Sequence, residues 1–208
     1  MSINNPILIT GVPRSGSTLI ARIINFCGAF GGQMSKRGMY RNDNIHDLVQ
    51  LYIQAKKVGL GYHPINWKSS VEYIIRSEGY IKGEWMYKDS ELCQMWDIWN
   101  NNFPTAKWII VRRRPNDIIE SCLKTGYMTA YNDREGWLKW IHFHEKIFVK
   151  MIEAGLNCKQ IWPERMVNGD YQQIIEMIEW LNLIWKPEIV DVIDPLLWNS
   201  KQKEKKGA

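Results

Sequence analysis

The chain has 208 residues, 45% of them hydrophobic and 24% charged, with a net charge of +5 at pH 7. That is enough for one domain with a substantial core, and the balance excludes a disordered or fibrous chain. Four lysines and one glutamate in residues 201–206, KQKEKK, carry +3 of that charge, so a broad nucleic-acid surface is not required.

We expect a single domain over residues 1–200 and a basic, mobile tail over 201–208. Cys27, Cys93, Cys122 and Cys158 form neither a C-x-x-C pair nor a metal-ligand pattern, which reads as reduced thiols in a reducing compartment. The opening MSINNP lacks the charged and apolar regions of a signal peptide, and no apolar run has the length of a bilayer span. The expectation is a cytoplasmic protein with no nucleic-acid or membrane partner and an oligomeric state that the sequence leaves open.

In chain order, Ile7 to Thr10 read as a strand and Ser17 to Phe26 as a helix. Asp43 to Lys57 is helical by the spacing of Ile45, Leu48, Val49, Tyr52 and Ile53. Ser69 and Glu72 have capping-box spacing for a short helix ending near Ser77. Glu84 to Lys88 reads as a second strand, followed by a helix capped by Ser90 and running to about Asn101. Lys107 to Arg112 is the best strand after the first, and Pro115 occupies a first-helical position for a helix to Thr125. A long amphipathic helix spans Arg134 to Ala154, with Gly155 near its end. Lys159 to Trp162 reads as a short strand, and Tyr171 to Leu181 as a helix with Asp170 as its cap. Strands alternating with helices predict an α/β, three-layer fold with a central parallel sheet and helices on both faces.

Residues 7–19, ILITGVPRSGSTL, run from the first strand through a glycine loop into a helix, the outline of a phosphate-binding loop. Gly11 and Gly16 have the spacing of the Walker pattern and Thr18 is present, but Ser17 stands where that pattern has its triphosphate-reading lysine. The nearest cation is Arg14, whose planar fork suits phosphate or sulfate oxygens. Ser15, Ser17 and Thr18 add hydroxyl donors, so we expect the loop to hold a phosphate group other than the γ-phosphate of ATP.

The segment 107–121, KWIIVRRRPNDIIES, ends a strand in three arginines. Ligands of open α/β sheets sit beyond the carboxyl ends of the strands, so Arg112 to Arg114 are expected level with the first loop. Ser121 lies eight residues after Arg113, two helical turns on, in position to face the same anion. The plainer reading of the three arginines is a solvated turn or ion pairs with Asp117 and Glu120.

PRSGST after a strand resembles the 5′-phosphosulfate loop of the sulfotransferases, above all of their tyrosylprotein and bacterial or phage-like branches. RRPNDIIES is similar to that family's 3′-phosphate motif, R-[ND]-P-x-D-x-x-x-S, with Arg114 in place of its Asn or Asp. YKDSELCQMWDIWNNNFPTAK resembles the lysine-bearing strand end and helix between the two motifs. The likeness covers roughly residues 6–125.

It implies a P-loop NTPase-like fold and sulfuryl transfer from 3′-phosphoadenosine 5′-phosphosulfate (PAPS) to a hydroxyl or amine. No metal is required for that reaction, and its nucleotide product is adenosine 3′,5′-bisphosphate. By position, Gly11, Pro13, Arg14, Ser15, Gly16, Ser17 and Thr18 would hold the 5′-phosphosulfate, Arg113 and Ser121 the 3′-phosphate, and Lys88 would serve the sulfuryl centre. Ser90 falls near the histidine of cytosolic members, and no acidic residue lies between Arg14 and Asp43, where tyrosylprotein relatives carry a glutamate. Asp89 is therefore the first choice of base, His46 and Asp43 the second; Glu84, His142 and His144 have weaker support.

The acceptor is expected to be a small molecule, sugar or peptide. Residues 29–82 and 126–170 would contribute its pocket, with Tyr40, Tyr62, Trp67 and Tyr127 as aromatic walls or, equally, as core. Competing readings are a P-loop small-molecule or nucleotide kinase, a non-catalytic nucleotide-binding protein, and a nucleic-acid binder.

Overall fold

Four short segments pair side by side as parallel strands: β1 (Ile7–Gly11), β2 (Met86–Lys88), β3 (Lys107–Val111) and β4 (Cys158–Ile161), in the order β2-β1-β3-β4. The structure is a computed structural model, and it describes residue 3 and residues 5–35, 39–59 and 66–193. Tyr62 and the 201–208 tail lie outside the described residues. The register sets Ile9 beside Lys88 and Ile109, and Gly11 beside Val111, so the carboxyl ends of β1, β2 and β3 open on one edge of the sheet.

Strand side chains alternate between faces, and both faces are covered at the centre of the sheet. That is why β1 and most of β3 read as buried, largely apolar runs, whereas Lys159 and Gln160 of the edge strand β4 are exposed. Leu8, Tyr87, Trp108 and Ile110 pack into one core, with helices α2 (Asp43–Lys57), α3 (Trp67–Ser77), α4 (Trp96–Asn102), α5 (Pro115–Leu123) and α6 (Arg134–Glu153). Ile7, Ile9, Met86, Ile109 and Val111 pack into the other, with α1 (Ser17–Phe26) and α8 (Gln172–Trp180). The expected α/β, three-layer arrangement is therefore present. Each fully enclosed Ile or Leu of these strands contributes about 1.5–3 kcal/mol of burial free energy.

Most expected elements form within two residues of their anticipated bounds, and the differences are local. Helix α3 starts at Trp67, after Asn66 in the left-handed region at φ 75°, so Ser69 and Glu72 lie inside the helix and do not cap it. The segment after β2 first winds as a 3₁₀ turn, Glu91–Met95. Ser90 makes no side-chain cap there; Asp89 Oδ1 instead accepts from the Glu91 N–H at 3.1 Å. A short helix α7 (Pro163–Val167), with proline in its first turn, follows β4 and was not expected from the pattern. Among the described residues no helix is long and apolar enough to cross a membrane.

Candidate active site

The loop after β1 is shaped by two close approaches and one left-handed turn. A Cβ on Gly11 would stand 2.5 Å from Ser15 Oγ and 2.7 Å from the Val111 carbonyl oxygen, so only glycine lets the loop lie against β3. Arg14 (φ 72°) and Gly16 (φ 97°) both occupy the left-handed region. For arginine that conformation is uncommon, and it turns the guanidinium outward. No side chain caps α1 and its first turn has no acidic residue. The uncapped N–H groups at Gly16, Ser17 and Thr18 and the positive end of α1 thus make an anion cradle.

Ser15 departs from expectation. Its N–H bonds to the Val12 carbonyl at 2.9 Å, and its hydroxyl is buried against Gly11 without a hydrogen-bond partner. It supports the loop from beneath and does not present a donor to an anion.

The second cluster meets the first directly. Arg14 Nε donates to Ser121 Oγ at 2.9 Å, and Arg113 Nη1 donates to the Arg14 carbonyl at 2.9 Å. Residues 99 and 107 positions apart in the chain thus form one basic, hydroxyl-lined surface. Pro115 at the start of α5 directs that helix so that Ser121, two turns on, faces the loop.

The three arginines divide their work. Arg112 pairs with Glu145 at 2.5 Å, and Arg114 with Glu164 at 3.5 Å, leaving Arg113 to reach the loop. The ion-pair partners are therefore on α6 and α7, and neither pair uses Asp117 or Glu120. Burial lowers the Arg113 pKa from its usual value; Asp117 and Glu164 oppose that and Arg14 adds to it.

At the end of β2, Lys88 and Asp89 are both enclosed. Burial pushes the Lys88 ammonium down to about 8, with Asp89 offsetting part of the shift and Arg41 adding to it. Asp89 is 2% exposed and accepts from His46 Nδ1 at 2.6 Å, Tyr87 OH at 2.9 Å and the Glu91 N–H at 3.1 Å. Burial works to raise the Asp89 pKa, but the His46 hydrogen bond and charge, the Glu91 N–H and Arg41 outweigh it and hold the carboxyl below its usual range.

An ionised carboxylate only accepts hydrogen bonds, so His46 Nδ1 carries the proton and Nε2 is left as the basic nitrogen. The His46 side chain is 17% exposed and sits in the first turn of α2. That turn is fixed by Asn42, whose side chain accepts from the Ile45 N–H at 2.9 Å and donates to Glu78 at 2.6 Å. Tyr87 is equally fixed, stacked on Trp99 at 5.5 Å. Asp89, the first choice of base from sequence, is thus enclosed with its oxygens engaged; its geometry suits orienting His46, which keeps a free nitrogen at the surface.

One ligating atom each of His46, Asp89 and Glu91 also lies within 4.8 Å of the others. Within that group His46 bonds Asp89, and Gln50 donates to Glu91. The spacing of these residues in sequence gave no sign of the cluster.

The remaining candidates lie elsewhere. Asp43 is exposed and paired with Arg41 at 3.3 Å. Glu84 precedes β2, at the opposite end of that strand from Lys88. His142 is exposed on α6, whereas His144 is buried and bonded to the Trp140 carbonyl at 2.9 Å. Trp67, 3% exposed, stands edge-on to Trp99 and is core. Tyr40 packs at the margin of the α1-side core. Tyr127, expected as an aromatic wall or as core, is 72% exposed and so is not core, and it accepts from Arg14 Nη1 at 2.9 Å.

Several solved structures share this fold. The sulfotransferase domain of the Synechococcus PCC 7002 olefin synthase matches with a TM-score of 0.63 at 16% identity, over 96% of this chain and 89% of that one. The fold is that of the sulfotransferases. The sulfotransferase domain of the curacin biosynthetic pathway aligns with a TM-score of 0.59 at 16% identity, over 91% of this chain and 77% of that one. Sulfotransferase STF9 of Mycobacterium avium aligns with a TM-score of 0.59 at 13% identity, over 97% of this chain and 70% of that one. No protein-family model and no curated protein matches the sequence. This agrees with the P-loop NTPase-like fold that the resemblance implied.

Proposed function

We propose that the chain is a sulfotransferase moving a sulfuryl group from PAPS to a hydroxyl or amine of a small-molecule, sugar or peptide acceptor. The observation that carries this reading is the contact of the two anion clusters through Arg14 with Ser121 and Arg113 with the Arg14 carbonyl. A donor bearing charge at both ends of one adenosine needs such a pair of neighbouring sites, and a nucleoside triphosphate does not. The uncapped α1 terminus and the glycine-lined cradle fit its 5′ end; Arg113 and Ser121 fit its 3′-phosphate.

When bound, the donor supplies the activated sulfuryl group, and catalysis is positioning plus charge stabilisation, as in phosphoryl transfer. Arg14 and the loop N–H groups neutralise charge growing on the departing 5′-phosphate. Lys88 bears on the transferring group. His46 Nε2 takes the proton of the acceptor hydroxyl or amine, and Asp89 orients the ring and stabilises the imidazolium that forms. Arginine and lysine supply the positive charge that a metal ion supplies in kinases.

Thermal shifts with adenosine 3′,5′-bisphosphate, ADP and ATP, each with and without magnesium, test the reading. A ligand at one hundred times its dissociation constant stabilises by about 2.7 kcal/mol. The expected result is a metal-independent shift that requires the 3′-phosphate, followed by donor turnover against an acceptor panel. Preference for magnesium–ATP would make the chain a kinase.

A further inference from the structure

We infer that Tyr127 binds the 3′-phosphate of the donor, completing the site that Arg113 and Ser121 begin; this rests on the sulfotransferase reading above. Helix α5 ends at Leu123 and the chain turns back at once. The Thr125 N–H bonds to the Cys122 carbonyl at 3.1 Å, the Met128 N–H to the Thr125 carbonyl at 2.9 Å, and Thr125 Oγ1 to the Ser121 carbonyl at 2.6 Å. This fastened turn holds Tyr127 beside the last turn of α5, where Ser121 lies.

The two hydroxyls then share one cation. Arg14 donates from Nε to Ser121 Oγ and from Nη1 to Tyr127 OH, each at 2.9 Å. A hydroxyl that accepts from arginine keeps its own hydrogen to donate. Ser121 and Tyr127 are thus two neighbouring O–H donors, both polarised by the same guanidinium, with Arg113 on the carbonyl of that same arginine. Converging donors backed by two cations are what a phosphate monoester needs.

Tyr127 is 72% exposed, so packing does not account for its position. Its phenol oxygen is tied to Arg14 while the rest of the side chain remains open to a ligand. The site also lies at Ser121, on the side of the surface assigned to the ribose 3′ end, which makes the ligand a 3′-phosphorylated adenosine nucleotide.

Calorimetric titration of the full chain with adenosine 3′,5′-bisphosphate and adenosine 5′-monophosphate tests this, using wild type, Tyr127→Phe and Ser121→Ala. Tyr127→Phe keeps the ring at an exposed position. We expect it to weaken the bisphosphate about tenfold, about 1.4 kcal/mol, and to leave the monophosphate unchanged, with Ser121→Ala showing the same selectivity. Equal loss for both nucleotides would overturn the inference, because Tyr127 would then act only through Arg14 on the 5′ end. No loss for either would overturn it as well, while the donor reading stood. A wild-type chain that does not prefer the bisphosphate would remove the donor reading and this inference together.

Discussion

Replacing Asp89 by asparagine separates the two ways of reading the pair at the end of β2. The carboxylate takes hydrogen bonds from His46 Nδ1, Tyr87 OH and the Glu91 N–H. An asparagine has one carbonyl oxygen, so its NH₂ group must face at least one of these donors. Leaving one buried donor unpaired costs about 1–3 kcal/mol of stability. An NH₂ group that turns to His46 donates to Nδ1 and moves the imidazole proton to Nε2, which removes the base.

A general base contributes about 10²–10⁴-fold, or about 2.7–5.4 kcal/mol of barrier. Asp89→Asn and His46→Ala should each lower turnover by that factor at saturating donor, with the affinity for adenosine 3′,5′-bisphosphate unchanged. The double variant should be scarcely slower than His46→Ala alone, because the two residues act as a unit. The assay is release of adenosine 3′,5′-bisphosphate under single-turnover conditions with an acceptor from the panel. If His46→Ala keeps wild-type turnover while Asp89→Asn abolishes it, Asp89 is itself the base and the reasoning fails. Because the Asp89 pKa lies below its unfolded value, its contribution to stability is present above the ordinary carboxylate range and is lost as pH falls through its lowered value.

Lys88 is charged below its pKa of about 8 and neutral above it, so turnover should decline as pH rises through that value. Lys88→Arg, which keeps its charge, should flatten this alkaline limb; an unaltered limb would take Lys88 out of the transferring centre. Gly11→Ala forces a Cβ to within 2.5 Å of Ser15 Oγ and 2.7 Å of the Val111 carbonyl, and should cost about 1–3 kcal/mol of stability along with nucleotide affinity. A Gly11→Ala melting curve superimposable on wild type would show that the loop does not need that close approach. Turnover should be insensitive to EDTA and to added magnesium; loss on chelation, restored by a divalent ion, would instead make His46, Asp89 and Glu91 a metal centre.

The parts of this protein legible in its sequence are those set by neighbours in the chain. The Gly11 and Gly16 spacing, the proline opening α5 and the three- and four-residue apolar spacing of α2 each act within one or two turns, so strand, loop and helix bounds could be read directly. The alternation of strands with helical segments likewise announced a sheet covered on both faces. Partners beyond that range were decided only when the sheet set the strand ends side by side. His46 meets Asp89 across 43 residues, Arg14 meets Tyr127 across 113, and Arg112 and Arg114 find their carboxylates on α6 and α7 rather than on α5. Hydrogen bonds and ion pairs are short-ranged and directional, so a side chain's role depends on what the fold brings within about 3 Å of it, and chain spacing carries no record of that.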